Sequence, residues 1–527
     1  MAFLHGVELV PKSSWLISVL LVLCSCVTST TYGYDGSMIN GLNILPAYTN
    51  YFSLTTATLA LNTASVWIGG CIAGLVWGKL TDVYGRKIAL FWAATITLFA
   101  VILQTAAQNV AMFVAARILV GFGTSASTLC GPTYLAETLP FKWRAWGLGI
   151  LNDFYYVGVF LLYLSRLGHT DAVYAGGLIA AGVTYATSFQ TSTWAWRTPS
   201  AVQGVFSVLC IAILPFIPES PRWLAYQGRN EEALIVLALT YANGDTENEV
   251  VQAQYKEIVD TIRWEKEHAG ETLSVIQMVK TPIARKRVGL ALSVAVFSTL
   301  SGNIIASYYL GTMLTNAGIT NTTTQLEINI ILNAFCLVCS LLGTWAVDGW
   351  GRKPMGVLST GLLTIFIFMI GALTKEYGTG STNKSAIYAT VASIFLFQGA
   401  YSFGWTPLLY LYPPEVLNYS IRANGMGVFT FALNGVALMG VFAFPFAIAD
   451  IGWKTYMING TWDALELVVI AWYWVETKGR TLEEIDAQLY GVKRSDAPDL
   501  EDAAYTEKVT QKGEEVFVGD EIDEVGR

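Results

Sequence analysis

The sequence predicts an all-α membrane protein: twelve transmembrane helices in two pseudo-symmetric six-helix bundles, with a long polar cytoplasmic segment between them. Three observations predict it. The 527 residues are 54% hydrophobic and 13% charged, with mean hydropathy +0.48, against about 25% charge in an ordinary soluble domain. Apolar stretches long enough to cross a bilayer recur six times before a long polar segment and six times after it. Charged motifs recur in the same order in both halves.

A crossing helix needs about 20 apolar residues to cover roughly 30 Å of hydrocarbon. Such windows lie near 15–34, 57–78, 88–107, 110–130, 146–164 and 199–217, then near 288–310, 328–347, 355–373, 386–410, 424–448 and 457–475. The first lacks the basic start and A-x-A site of a cleaved signal peptide and is expected to remain as a helix. Lys and Arg orient the array, because cytoplasmic loops carry the positive excess. Lys79, Arg86 and Lys87 follow the second span, Lys142 and Arg144 the fourth, Arg352 and Lys353 the eighth, and Lys478 and Arg480 the twelfth. Both termini are therefore expected in the cytoplasm of a multi-pass protein of the cell membrane. The expected divisions are an N-terminus at 1–14, a first bundle at 15–217, an intracellular segment rich in both charges at 218–287, a second bundle at 288–475 and a tail at 476–527.

The net charge of −8 is local. Residues 496–527 hold eleven acidic and three basic side chains, leaving the remainder neutral. This acidic, apolar-poor tail is expected to stay largely disordered. The seven cysteines lie in apolar stretches and the three histidines outside them, so neither a metal centre nor a histidine proton shuttle is expected. Gly121-x-Gly123-x-x-Ala126 lies in a membrane helix with no strand before it and reads as close helix packing, not a dinucleotide site. No cofactor and no nucleic-acid partner is expected, no catalytic nucleophile stands out, and an enzyme is disfavoured.

Asp82-Val-Tyr-Gly-Arg86-Lys87 matches Asp348-Gly-Trp-Gly-Arg352-Lys353. Tyr134-x-x-Glu137 with Arg144 matches Tyr412-x-x-Glu415 with Arg422, and Trp196-Arg197 with Glu219 matches Trp453-Lys454 with Glu476. Parallel repeats of this kind occur in secondary transporters. The motifs sit at helix ends on the cytoplasmic face, where Asp82, Arg86, Glu137, Arg144, Glu219, Arg222, Asp348, Arg352, Glu415, Arg422 and Glu476 are expected to form a gate between the halves. The plainer alternative is static ion pairing worth roughly 0–1 kcal/mol. The repeat breaks once: 53 residues separate Arg144 from Arg197, but only 32 separate Arg422 from Lys454. The excess centres on 159–176, and joining Gly158 to Gly177 restores a smooth apolar run. It reads either as a retained intron or as a genuine outer insertion.

The motifs G-K-L-T-D-V-Y-G-R-K at 78–87, Y-L-A-E-T-L-P-F-K-W-R at 134–144, P-E-S-P-R-W-L at 218–224, D-G-W-G-R-K at 348–353 and V-E-T-K-G-R-T-L-E-E at 475–484 closely resemble those of the sugar porters of the major facilitator superfamily. Residues 33–41 and 301–311 look most like its fungal lactose-permease and hexose-transporter branch. The resemblance implies the major facilitator fold, an amphipathic cytoplasmic helical domain at 218–287 between the halves, and import of a hexose or disaccharide by alternating access. It places Asp35 and Arg117 at proton-coupling positions, and an ionizable residue inside a membrane is by default functional. Proton symport is the expectation, with facilitated diffusion the alternative.

A sugar site needs amides and hydroxyls for the sugar's own hydroxyls and an aromatic face for its C–H surface. Asn152, Ser298, Thr299, Asn303, Tyr308, Tyr309, Trp405 and Asn434 are the candidates. Asn152 stands where the family usually has Gln, and Ser298-Thr299 where it has two Gln, which favours a larger disaccharide or a polyol-like cargo. The partners expected are a sugar, a proton and the lipid bilayer, with a monomeric chain. Export of a specialised metabolite and a non-transporting sugar receptor are the competing functions. Asn321 and Asn383 begin outer-loop glycosylation sequons. Asp463 and Glu466, one helical turn apart, read either as groups in the outer entrance or as partners of Lys454.

Overall fold

The computed structural model describes residues 9–44, 46–157, 183, 187, 192–269, 281–308, 310–319, 322–377, 383–480, 484 and 485. The segment at 159–176, Tyr309, Asn321 and nearly all of the acidic tail lie outside them.

Each half starts its helices with the local chemistry that orphan N–H groups require. The first half comprises α1 (Ser14–Ile44), a short α2 (Pro46–Tyr51), α3 (Thr56–Tyr84), α4 (Arg86–Thr105), α5 (Val110–Thr138), α6 (Phe141–Val157) and α7 (Trp194–Ile213). Thr55 and Thr58 form a reciprocal capping box at the start of α3, and Asn109 caps α5 by accepting from the Met112 N–H at 2.8 Å. A compact helical unit follows: α8 (Pro221–Tyr226), α9 (Asn230–Tyr241) and α10 (Glu249–Ala269). It has its own small core of Trp223, Val236, Leu237, Val251 and Ile258.

The second half comprises α11 (Pro282–Leu300), α12 (Asn303–Tyr308), α13 (Leu310–Asn316), α14 (Thr322–Trp350), α15 (Arg352–Tyr377), α16 (Lys384–Val416), α17 (Tyr419–Ile451) and α18 (Lys454–Tyr473). Nine of the described helices are long and apolar enough to cross a membrane. The other three expected spans depart for identifiable reasons. The fifth, α6, is described only to Val157. The seventh is interrupted between α11 and α12, with Gly302 at φ +84° in the break, and Tyr309 between α12 and α13 lies outside the described residues. The twelfth, α18, is diluted by Asn459, Asp463 and Glu466. The sixth begins at Trp194, earlier than the apolar window, because Trp196 packs among Tyr48, Phe52 and Phe113.

The halves meet along α3 and α17, where small residues let backbones approach. A Cβ on Gly74 would stand 2.5 Å from the Phe431 nitrogen, and one on Gly78 the same distance from the Ala423 oxygen. A second seam joins α6 to α14 and α16.

Candidate functional site

Two charge clusters occupy the end of the bundle that carries the basic loops, here the basic face. In the first, Glu137 accepts from Arg86 Nη2 at 3.1 Å and from Ser220 Oγ at 2.6 Å, and its second oxygen stands in an ion pair 2.8 Å from Arg86 Nε. Arg222 donates to the Glu137 carbonyl at 2.9 Å, and Arg86 also pairs with Asp82 at 3.4 Å. Glu219 accepts from the backbone N–H groups of Arg86, Lys87 and Ser220 at 2.8–3.2 Å. A carboxylate on the free N–H groups that open α4 complements the helix dipole. Burial raises the Glu219 carboxyl above the ordinary glutamate range, and the Ser220, Lys87 and Arg86 N–H groups and the Arg86 charge pull it back. Gly85 is required between α3 and α4: its φ is +92°, and a Cβ there would lie 2.6 Å from Glu219 Oε2.

The second cluster repeats the plan of the first. Glu415 accepts from Arg352 Nε at 3.1 Å and Nη2 at 2.9 Å, with Thr477 Oγ1 at 2.7 Å in the place of Ser220. Arg352 reaches Asp348 at 3.5 Å, and Glu476 accepts from the N–H groups of Arg352 and Lys353 at 2.9 and 3.0 Å. Tyr134 and Tyr412 donate to the carbonyls of Pro218 and Val475 in matched positions. Each cluster then receives an arginine from the opposite half. Arg422 Nη1 donates to Glu137 at 3.1 Å, and Arg144 Nε stands 4.0 Å from Glu415. Asn424 adds a bond to Asp82 at 3.3 Å, and Arg144 one to the Arg480 carbonyl at 2.6 Å. The basic face is closed. All eleven residues expected at a gate fall in these two clusters.

Deeper in the first half, Arg117 pairs with Asp35, both almost fully buried. Gln203 on α7 donates to the same Asp35 oxygen at 2.9 Å. The pair borders a cavity of about 30 Å³ lined by Tyr32, Thr63 and Trp67 among others, room for about one water.

The sugar candidates are less gathered. Trp405 is wholly buried, edge-on to Trp474, with its indole N–H unpartnered among the described residues. Asn434 donates to the Thr430 carbonyl at 2.7 Å and accepts from Ser125 of the first half at 3.4 Å. Ser298 and Thr299 are buried and turn back onto the Ala295 carbonyl at 3.4 and 2.7 Å. Asn303, at the start of α12, accepts from Ser307 at 3.1 Å. Asn152 and Tyr308 are described as backbone only, in α6 and α12. Asn383 caps α16 through its Oδ1, accepting from the Ser385 and Ala386 N–H groups.

Three features escape sequence reasoning. Gln203, the third member of the Asp35 site, is a lone amide in an apolar helix, which was the available signal. Asp153 is fully buried on α6 and accepts from Thr344 Oγ1 of the second half at 2.7 Å; the same intramembrane-charge rule that selects Asp35 selects it too. Neither expectation for Asp463 and Glu466 holds. Both have 0% exposure, which removes them from any outer entrance, and Lys454 is exposed and forms no ion pair with either among the described residues.

The family model described as "Sugar (and other) transporter" matches residues 21–489. The chain belongs to this family. Among similar proteins, this sugar-porter chain is 27% identical to a "High-affinity glucose transporter" of Kluyveromyces lactis, over 88% of this chain and 83% of that one. It is 28% identical to "MFS-type transporter oryC" of Aspergillus oryzae, over 90% and 85%. In fold it matches the E. coli proton:xylose symporter XylE bound to 6-bromo-6-deoxy-D-glucose, with a TM-score of 0.76 at 21% identity, covering 90% of this chain and 100% of that one.

Proposed function

We propose that this chain imports a sugar by alternating access and that the Asp35, Arg117 and Gln203 site couples the movement to a proton. The observation that carries the coupling is the buried ion pair beside a cavity of water size. Removing one partner of a buried pair costs about 3–5 kcal/mol, so the pair holds its helices together while Asp35 is ionised. Protonation from outside frees Arg117 and lets α1, α5 and α7 shift; loss of the proton inside restores the pair. The K. lactis and XylE likenesses supply the sugar and the proton as cargo classes.

The two clusters on the basic face are the gate of this cycle, formed when the pathway is closed to the cytoplasm and broken when it opens inward. Sugar binds between the halves near Asn152, Ser298, Thr299, Asn303, Tyr308, Tyr309, Trp405 and Asn434, and it displaces the Ser125–Asn434 bond when it engages Asn434. The chain works as a monomer in the cell membrane with both termini cytoplasmic. Radiolabelled glucose, xylose, lactose and cellobiose uptake in a transporter-null host tests this. Accumulation is expected to collapse with a protonophore and in Asp35→Asn, while Asp35→Asn retains exchange of sugar for sugar. Uptake indifferent to the protonophore, with no alkalinisation of the medium, removes the symport.

A further inference from the structure

Span twelve holds a pair of acids that the gate and the Asp35 site leave unused. Asp463 and Glu466 lie one helical turn apart on α18, which places their side chains on one face, and both have 0% exposure. Among the described residues, Asp463 Oδ2 and both Glu466 oxygens meet no hydrogen-bond partner in good geometry, and the donor that stands beside Glu466 is the Trp462 indole. One turn outward, Asn459 is 94% buried, donates to Asp463 Oδ1 at 3.4 Å and to the Leu300 carbonyl at 2.6 Å, and leaves its own Oδ1 unpartnered. That oxygen faces Gly302, where a Cβ would stand 2.6 Å from it. Leu300 ends α11 and Gly302 opens the break in span seven. The acid pair therefore sits behind the hinge of that span and is joined to it by one amide.

Among the described residues, no cation answers the pair. On the packed neighbours α11, α15 and α17, the charged residues lie at the helix ends: Arg285, Lys286 and Arg287; Arg352, Lys353, Lys375 and Glu376; Arg422 and Asp450. On α18 itself there is only Lys454, nine residues away and exposed. Two carboxylates this close cannot both be ionised in such surroundings at tolerable cost.

We propose that Asp463 and Glu466 form a second proton-binding site, independent of Asp35, whose occupancy sets the position of the hinge at Leu300–Gly302. With a proton held between the two carboxyls, the Asn459 amide stays on the Leu300 carbonyl. When the proton leaves, the added negative charge draws the Asn459 N–H groups toward Asp463 and releases the end of α11. The inference is independent of the cargo, so failure of sugar uptake leaves its test intact.

Infrared spectra of the full chain in lipid nanodiscs near neutral pH read the site directly. A protonated-carboxyl band is expected that is lost in Glu466→Gln and in Asp463→Asn, persists in Asp35→Asn, and is unmoved when sodium replaces potassium. A band indifferent to both amide variants overturns the proposal, and so does a wild-type band erased by sodium, which would mark a sodium site. The wild-type measurement stands even if a variant fails to fold. Spin labels on α13 and α16 read the hinge: their separation is expected to change on alkalinisation in the wild type and not in Glu466→Gln. A change that survives in Glu466→Gln overturns the link to the hinge.

Discussion

The two clusters on the basic face share one wiring diagram and differ in depth. Asp82 is 3% exposed and Asp348 is 49% exposed in their pairs with Arg86 and Arg352. The first is sealed from outside its own repeat: Trp223 of the helical unit donates to the Asp82 carbonyl at 2.8 Å, and Asn424 of the second half reaches its carboxylate. The second has no matching cover among the described residues. The crossing arginines follow the same trend, 3.1 Å from Arg422 to Glu137 against 4.0 Å from Arg144 to Glu415. A duplicated sequence motif therefore supplies the same local plan twice, while its crossing arginines engage the opposite half differently, Arg422 through the Glu137 carboxylate and Arg144 through the Arg480 carbonyl.

The largest effect is expected at Glu137, which stands between Arg86 and Arg422. Glu137→Gln strands two buried guanidiniums facing one neutral amide, a loss of about 3–5 kcal/mol. Purified protein is expected to melt at lower temperature, and spin labels across the basic face should report a larger separation. If Arg422 is what matters, a double-mutant cycle of Glu137→Gln with Arg422→Met gives a coupling well above 1 kcal/mol, the range for neighbours in one network being about 0.5–3 kcal/mol.

Glu415→Gln breaks the same local bonds to Arg352 and Thr477, so its melting loss should approach that of Glu137→Gln. Its effect on the separation of the halves should be smaller, because Arg144 stands farther off and keeps its bond to the Arg480 carbonyl. Equal opening in both variants would make the clusters equivalent and the depth difference irrelevant.

What was legible in the sequence divides along the same line. Asp82 with Arg86, and Asp348 with Arg352, are four residues apart at a turn, so pattern alone predicts their meeting. That Glu137 would be shared with Arg422 depends on how two bundles dock, which no local period encodes. The interior was harder still. Trp405 is identifiable by its place in a motif, but its edge-on contact with Trp474, just past the end of α18, is a tertiary contact that no local pattern encodes. Ser298 and Thr299 look like sugar ligands as residue types, yet a hydroxyl on a helix can bond the carbonyl three or four residues back, and here both do. The break of span seven lies at Ser301-Gly302-Asn303, a turn-prone triplet inside a window read as one span, and the positive φ of Gly302 is what stops the helix there.

Asn424→Ala should have a moderate effect, removing one neutral-to-charged bond at 3.3 Å, worth about 1–3 kcal/mol with its carboxylate left less satisfied. Opening of the basic face should be detectable by label separation and smaller than in Glu137→Gln. An unchanged separation would mean that Arg422 alone carries the connection on that side.

The smallest effect sharpens the comparison most. Asp82→Asn and Asp348→Asn remove the same charge from equivalent places in the repeat, beside equivalent arginines. A half-exposed pair is solvated and screened, so Asp348→Asn should change the melting free energy by about 0–1 kcal/mol, and added salt should blunt what remains. Asp82 is enclosed by Arg86, Asn424 and the covering Trp223, so water cannot replace what the amide fails to provide. Asp82→Asn should therefore cost more and respond less to salt. Two equal, salt-sensitive losses would show that the helical unit over the first cluster does not exclude solvent, and that the stronger connection between the halves has another source.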